Sequence, residues 1–195
     1  MKVLAQNQKK KAARPMVCDC GGHLRPTKLA SYDLSKYVGF KVNLTGIDGL
    51  KCNKCGWETI DGRAINLAMD HMVITFTGFP RRLNGVEASY LRRRIAATQE
   101  ELANRMGVVR ETVAKWECGD QVISPQHDFI LRVLSLTHMI AAGQISRAYA
   151  EKIMTEIRAV RSDPPEEPSS VSFAGIDIMR IAGISRGDER RAAAG

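Results

Sequence analysis

No stretch of this 195-residue sequence approaches the ~18 consecutive apolar residues of a membrane-spanning helix. Nor does an apolar segment follow the lysine-rich start (Lys9, Lys10, Lys11). A secretory signal is therefore not expected, and the chain is expected in the cytoplasm with no membrane partner. Cysteine is sparse and odd in number, at five, which does not suit a disulfide framework. Catalytic signatures are missing as well. His71, His127 and His138 form no metal-protease or triad-like spacing, and no glycine-rich loop of the phosphate-cradling kind occurs. An enzyme is not expected. No internal repeat is visible.

Positive charge is plentiful. Lys and Arg number 29 against 21 Asp and Glu, a formal net charge of +8, which suggests a polyanionic partner. Hydrophobic residues at 44% and charged residues at 26% fit a globular protein. The texture changes along the chain. Residues 1–15 hold five basic side chains and no acidic one, and read as a disordered arm with Met16 as an alternative start. Residues 16–65 read as a small β-rich module, 66–80 as a helix and linker, 81–160 as an all-α domain, and 161–195 as a flexible tail with room for one short helix. The fold class expected is mainly α.

In the β-rich module, Val38, Phe40, Val42 and Leu44 alternate with polar or small residues, the period of a half-buried strand. Asp48-Gly49 offers hairpin-turn chemistry, so the returning segment would carry Cys52 and Cys55. A unit of about 45 residues barely supports its own core and needs a staple. Cys18-x-Cys20-Gly-Gly-His23 and Cys52-x-x-Cys55-Gly provide one. Two short cysteine turns deliver four soft donors to one point, the demand of tetrahedral zinc. Two ligand sets remain open: Cys18, Cys20, Cys52 and Cys55, or His23 in place of Cys18. Four protein ligands leave no open coordination position, so the zinc is expected to be structural. A redox role for Cys-x-x-Cys lacks the βαβ context it needs, and Cys118 lies far from the cluster in sequence.

The stretch from Leu91 to Gly119 is the most specific. Thr98-Gln-Glu-Glu101 is a capping box. It opens a helix from Gln99 to Met106, and Gly107 ends it in the left-handed conformation. Val108 and Val113 turn inward, a second helix spans Arg110 to Glu117, and Gly119 closes it. Two short helices on a glycine bend match the helix-turn-helix pattern. The residues resemble the Cro/CI type at Thr98, Gln99, Glu100, Leu102, Ala103, Gly107, Val108, Val113, Glu117 and Gly119. That resemblance implies a second helix entering the DNA major groove with Val109, Arg110, Glu111, Thr112, Ala114 and Lys115 at its exposed start. Arg110 or Lys115 would donate to guanine and Glu111 would accept from cytosine, while Gln99 would face a backbone phosphate. Residues 98–120 hold three basic and five acidic side chains. The positive surface is therefore expected from Arg81, Arg82, Arg92, Arg93, Arg94 and the arm, unless one arginine of the 92–94 run pairs with Glu117.

Downstream, Phe129, Ile130, Val133, Leu134 and Leu136 read as a helix completing the core. Ile145, Tyr149, Ile153, Ile157 and Val160 form an apolar stripe suited to the chain's own core or to a dimer axis. A homodimer is expected. Over residues 16–160 the combined pattern resembles the MqsA-type antitoxins of bacterial toxin–antitoxin pairs. By that resemblance the zinc module would bind a partner toxin, and the helical domain would bind a palindromic operator and repress its own promoter. The first cysteine turn is one residue short of the family pattern. Glu111 and Lys115 stand where the family has a base-reading Asn and Arg, which implies a different operator. The competing reading is a stand-alone zinc and helix-turn-helix transcription regulator without a toxin.

Overall fold

The computed structural model describes residues 16–157 and 171–174. The arm at 1–15, Val160 and most of the tail lie outside the described residues. The chain runs β1 (Leu24–Asp33), α1 (Ser35–Val38), β2 (Val42–Cys52), β3 (Glu58–Thr59), α2 (Gly62–Thr77), α3 (Gly85–Arg94), α4 (Gln99–Met106), α5 (Arg110–Cys118), α6 (Pro125–Ala141), α7 (Arg147–Ile157) and β4 (Val171–Ala174). It is mainly helical with one small sheet, the coarse architecture that the sequence leads one to expect.

The β-rich module differs from the expected hairpin. The chain reverses at residues 34–41 and not at Asp48-Gly49, which lies inside β2 opposite Lys28 and Thr27 of antiparallel β1. Asp33 Oδ1 accepts from Ser35 N at 2.7 Å, and Gly39, with φ 85°, ends the single turn of α1. Gly49 serves a different need. A Cβ there would sit 2.6 Å from Leu29 Cδ1 and 2.8 Å from the Thr59 carbonyl oxygen. Glycine thus lets neighbouring strands close over β2. The alternation through Val42 and Leu44 does bury one face, but Val38 and Phe40 belong to α1 and the turn.

β2 is the central strand. β1 covers one edge; β3 pairs at Leu50 and Lys51, and β4 runs parallel along Val42–Thr45. Residues 171–174, expected within a flexible tail, thus take a place in the sheet. The strand β1 carries Pro26, which an edge strand tolerates because its missing N–H breaks no interior ladder.

α2 spans the region read as helix and linker. Asp61 caps it by accepting from Arg63 N at 2.7 Å. It buries Ala68, Met72, Val73, Ile74 and Phe76, and packs on α3 and α6. Phe40 beside the sheet, Phe76 of α2 and Tyr90 of α3 meet with ring centroids 5.5–5.7 Å apart. Offset and edge contacts of this kind add to the burial of the rings. Tyr90 Oη also donates to the Met69 carbonyl at 2.9 Å. One continuous core therefore runs from Leu29 and Leu44 in the sheet to Leu102, Val113 and Leu136 in the helices.

α6 is turned differently from the expected face. Phe129 is exposed, while Leu131, Arg132, Ser135, Leu136 and Met139 are buried. The cause is Arg132, which crosses under the 77–83 segment and donates to the carbonyls of Thr77, Phe79 and Arg81. Asp128 accompanies it, 2.8 Å from Arg132 Nε as an ion pair, and accepts from Leu83 N at 2.7 Å. The stripe Ile145, Ile153 and Ile157 is buried against the chain's own core, with Tyr149 packed beside it. It is therefore not available at a dimer axis.

Removing the buried guanidinium leaves Asp128 and three carbonyls without their partner. Arg132→Met is expected to lower the unfolding free energy in urea by about 3–5 kcal/mol. A loss below about 1 kcal/mol would contradict the role given to this pair.

Candidate metal centre and nucleic-acid interface

The two cysteine turns meet at one end of the sheet. Gly21, with φ 76°, and Gly56, with φ 74°, bend the backbone behind each pair. Gly22 is required for closeness: a Cβ there would stand 2.7 Å from Cys52 Sγ. Cys18, Cys20, Cys52 and Cys55 bring their sulfurs within 4.8 Å of one another. Cys18 Sγ lies 3.7 Å from Cys55 Sγ, and Cys20 Sγ 3.5 Å from Cys52 Sγ. These separations far exceed a disulfide bond, about 2.05 Å; they suit four thiolates at tetrahedral corners, which at a zinc–sulfur distance of about 2.3 Å stand about 3.8 Å apart.

His23 is not brought into the cluster. Its backbone amide donates to Asn53 Oδ1 at 2.9 Å, and its carbonyl accepts from Asn53 N at 3.0 Å. Its main chain therefore fastens one turn to the other. Lys54 Nζ adds a bond to the Cys20 carbonyl at 2.9 Å. Cys118 lies elsewhere, 3.1 Å from Asp120 Oδ2.

The thiols are electrostatically unequal. Backbone amides of Cys55 and Lys54 pull the Cys52 thiol down to about 6. At Cys20 the Gly22 amide acts downward too, but proton sharing with Cys55, desolvation and Cys52 win and push it up to about 12. Four sulfurs this close cannot all ionise without a cation, and a bound divalent ion would hold all four deprotonated. The donor set fits a closed structural site.

The helix pair is positioned by local signals. Thr98 Oγ1 accepts from Glu101 N at 3.1 Å, and the Glu101 carboxylate accepts from Thr98 N at 2.7 Å. Gly107 has φ 68° and Gly119 φ 86°. Leu102, Ala103, Val113 and Trp116 bury the facing sides. Val109 caps α5 without a side-chain hydrogen bond, so no side chain occupies its first-turn amides. Val109, Arg110, Glu111 and Lys115 are exposed there, and Thr112 and Ala114 half-buried. The sequence-expected surface is thus assembled in one place, except for Gln99. Its Nε2 donates to Glu117 Oε2 at 2.9 Å, an inward partner in place of the expected phosphate.

Glu117 joins three helices. Arg92 Nε and Nη2 reach its two oxygens at 2.5 and 3.0 Å, and Arg92 Nη1 bonds the Ala97 carbonyl at 2.7 Å. Burial pushes the Glu117 carboxyl up, but hydrogen bonds from Arg92 and Gln99 outweigh it, and the net shift is downward. At the other side, α3 starts against the end of α5. A Cβ on Gly85 would lie 2.4 Å from the Trp116 carbonyl oxygen. The sequence reading missed this glycine, since nothing local marks a contact 31 positions away.

The arginines expected to supply positive surface are largely committed inside the fold. Arg81 pairs with Glu87 at 2.7 Å, Arg92 with Glu117, and Arg94 with Asp70 at 2.5 Å. Arg82 donates to the Ile123 carbonyl at 3.3 Å. Arg93 is exposed, its Nε on the Ser89 carbonyl.

Cys52→Ser is expected to abolish retention of one equivalent of divalent metal by elemental analysis, and acidification to release metal from the wild type as protons take the thiolates. A full equivalent in the variant would contradict the four-thiolate site. For Glu117, a lowered folded value means its stabilisation is complete above the unfolded carboxylate range and lost as pH falls through the folded one. A double-mutant cycle of Arg92→Ala and Glu117→Ala should give a coupling of roughly 0.5–3 kcal/mol near neutrality, fading only below the usual glutamate range. Comparison with protein-family models, with curated proteins and with solved structures finds no match to this chain.

Proposed function

We propose that the chain is a sequence-specific DNA-binding repressor of the Cro/CI helix-turn-helix type, acting as an antitoxin that represses its own operon and neutralises a partner toxin. The observation that carries this reading is the start of α5. Its first two turns present Val109, Arg110, Glu111 and Lys115 to solvent, with no side chain on their amides, on a helix fixed from behind by Glu117. In the major groove Arg110 or Lys115 donates to guanine O6 and N7, Glu111 accepts from cytosine N4, and Val109 or Ala114 meets a thymine methyl. The Arg110 and Glu111 amides and the helix dipole of α5 suit a phosphate.

The commitment of Arg81, Arg82, Arg92 and Arg94 limits phosphate contacts from the body to exposed bases such as Arg93, Arg105 and Arg110. Base readout then carries a large share of discrimination. Zinc is the metal we assign to the four thiolates, on coordination chemistry. Its binding, worth roughly 10–16 kcal/mol in zinc-finger peptides, would hold the module that meets the toxin. A twofold dimer matches a palindromic operator. Because the α7 stripe is buried, its contact falls to exposed apolar residues such as Val122 and Phe129.

Lys115→Ala is expected to lower affinity for a selected duplex by about 1–3 kcal/mol and to relax preference at one base pair, in competition binding at fixed salt. An equal loss on every sequence would make Lys115 a phosphate contact. No loss on any sequence would remove Lys115 from the interface and leave Arg110 as the guanine donor.

A further inference from the structure

A groove of about 710 Å³ opens beside the cysteine cluster, between the first cysteine turn and the segment that leads from β3 into α2. Its apolar surface includes Val17, Leu50 and Trp57, and both Val17 (61%) and Trp57 (53%) are strongly exposed. A tryptophan left open in a groove is an interaction signal, since its burial by a partner would be favourable. The polar rim has one sign. Asp19, Asp48 and Asp61 line the groove, and among the described residues no lysine or arginine does. Among the described residues none of the three is in an ion pair; Lys28 stands across the ladder from Asp48 without bonding to it. Cys18 also lines the groove, and a divalent ion held by four thiolates leaves that corner net negative.

The geometry points to this groove as the docking site for an extended segment of another protein that carries one large apolar side chain flanked by lysine or arginine. The apolar side chain packs on Trp57 and Leu50, and the flanking cations face Asp19, Asp48 and Asp61. Three carboxylates that form no ion pair among the described residues repel nucleic-acid phosphates, so this end of the molecule takes a protein while α5 takes DNA. The inference deepens the reading of the cysteine module as a partner-binding module and rests on it, but it does not depend on DNA binding. Asp61 also caps α2, a task that asparagine performs equally well, so the charge is removable without loosening that helix.

The test uses the full-length, metal-loaded protein and two N-acetylated probe peptides, Lys-Lys-Leu-Val-Lys-Lys and the same peptide with glutamate for every lysine. The basic peptide should shift Trp57 emission to the blue, with no such shift in Trp57→Phe, and the acidic peptide should not bind. The triple variant Asp19→Asn, Asp48→Asn, Asp61→Asn should weaken the basic peptide on the order of tenfold at low salt, while its circular dichroism and metal content match wild type. Equal binding of both peptides, or an unchanged affinity in the triple variant, would overturn the proposal. So would a peptide of this chain's own residues 2–15 that displaces the probe, if deleting that segment also tightens probe binding, since the groove would then belong to the chain's own arm. Titrating the wild-type protein with duplex DNA as well as with the basic peptide separates the two readings. Intact DNA binding without peptide binding defeats only the groove, and peptide binding without DNA binding defeats only the DNA reading.

Discussion

The carboxylate of Glu117 lies where α3, α4 and α5 converge, taking two bonds from Arg92 and one from Gln99. A half-buried carboxylate is costly unless its lone pairs are met, and here both oxygens are met by groups from different helices. The angle of α5 follows from that arrangement. Gly85 complements it from the other side by letting the start of α3 touch the last carbonyls of α5. The positive end of one helix thereby meets the negative end of another. What α5 shows to solvent is set by these contacts behind it more than by its own composition.

The same economy explains where the positive charge goes. A net charge of +8 suggests a basic surface, yet arginines 81, 92, 94 and 132 are each paired with a carboxylate within the fold. Arg132 is the clearest case, being wholly buried and bonded to the last carbonyl of α2 and to two carbonyls of the segment joining α2 to α3. The segment that reads as a linker is therefore pinned. With Phe40, Phe76 and Tyr90 packed together above it, the sheet and the helices share a core through α2.

The parts of the structure legible in the sequence are those set by neighbours in the chain. The capping box at Thr98, the left-handed glycines at 107 and 119 and the limits of α4 and α5 all depend on residues within a few positions. The cysteine spacing likewise announces the four-thiolate cluster, though not that His23 stays out of it. What was illegible is non-local. Asp48-Gly49 has turn chemistry, but Gly49 is a glycine because Leu29 and Thr59 approach it from strands on either side. Val171–Ala174 becomes a strand only because β2 offers an open edge more than 120 positions away. The orientation of α6 departs from its apolar pattern because Arg132 has distant carbonyls to satisfy, and that demand leaves Phe129 outside. An exposed tryptophan in an acid-lined groove is visible only once three separate segments are side by side.

The most direct trial of the central claim is selection of duplexes bound by the purified, metal-loaded chain from a random pool, at stated salt. The account requires enrichment of a short motif that loses definition when the exposed start of α5 is altered, and that repeats with twofold symmetry if the chain binds as a dimer. A pool that stays unenriched at low and moderate ionic strength, with the fold and metal content intact, would contradict it.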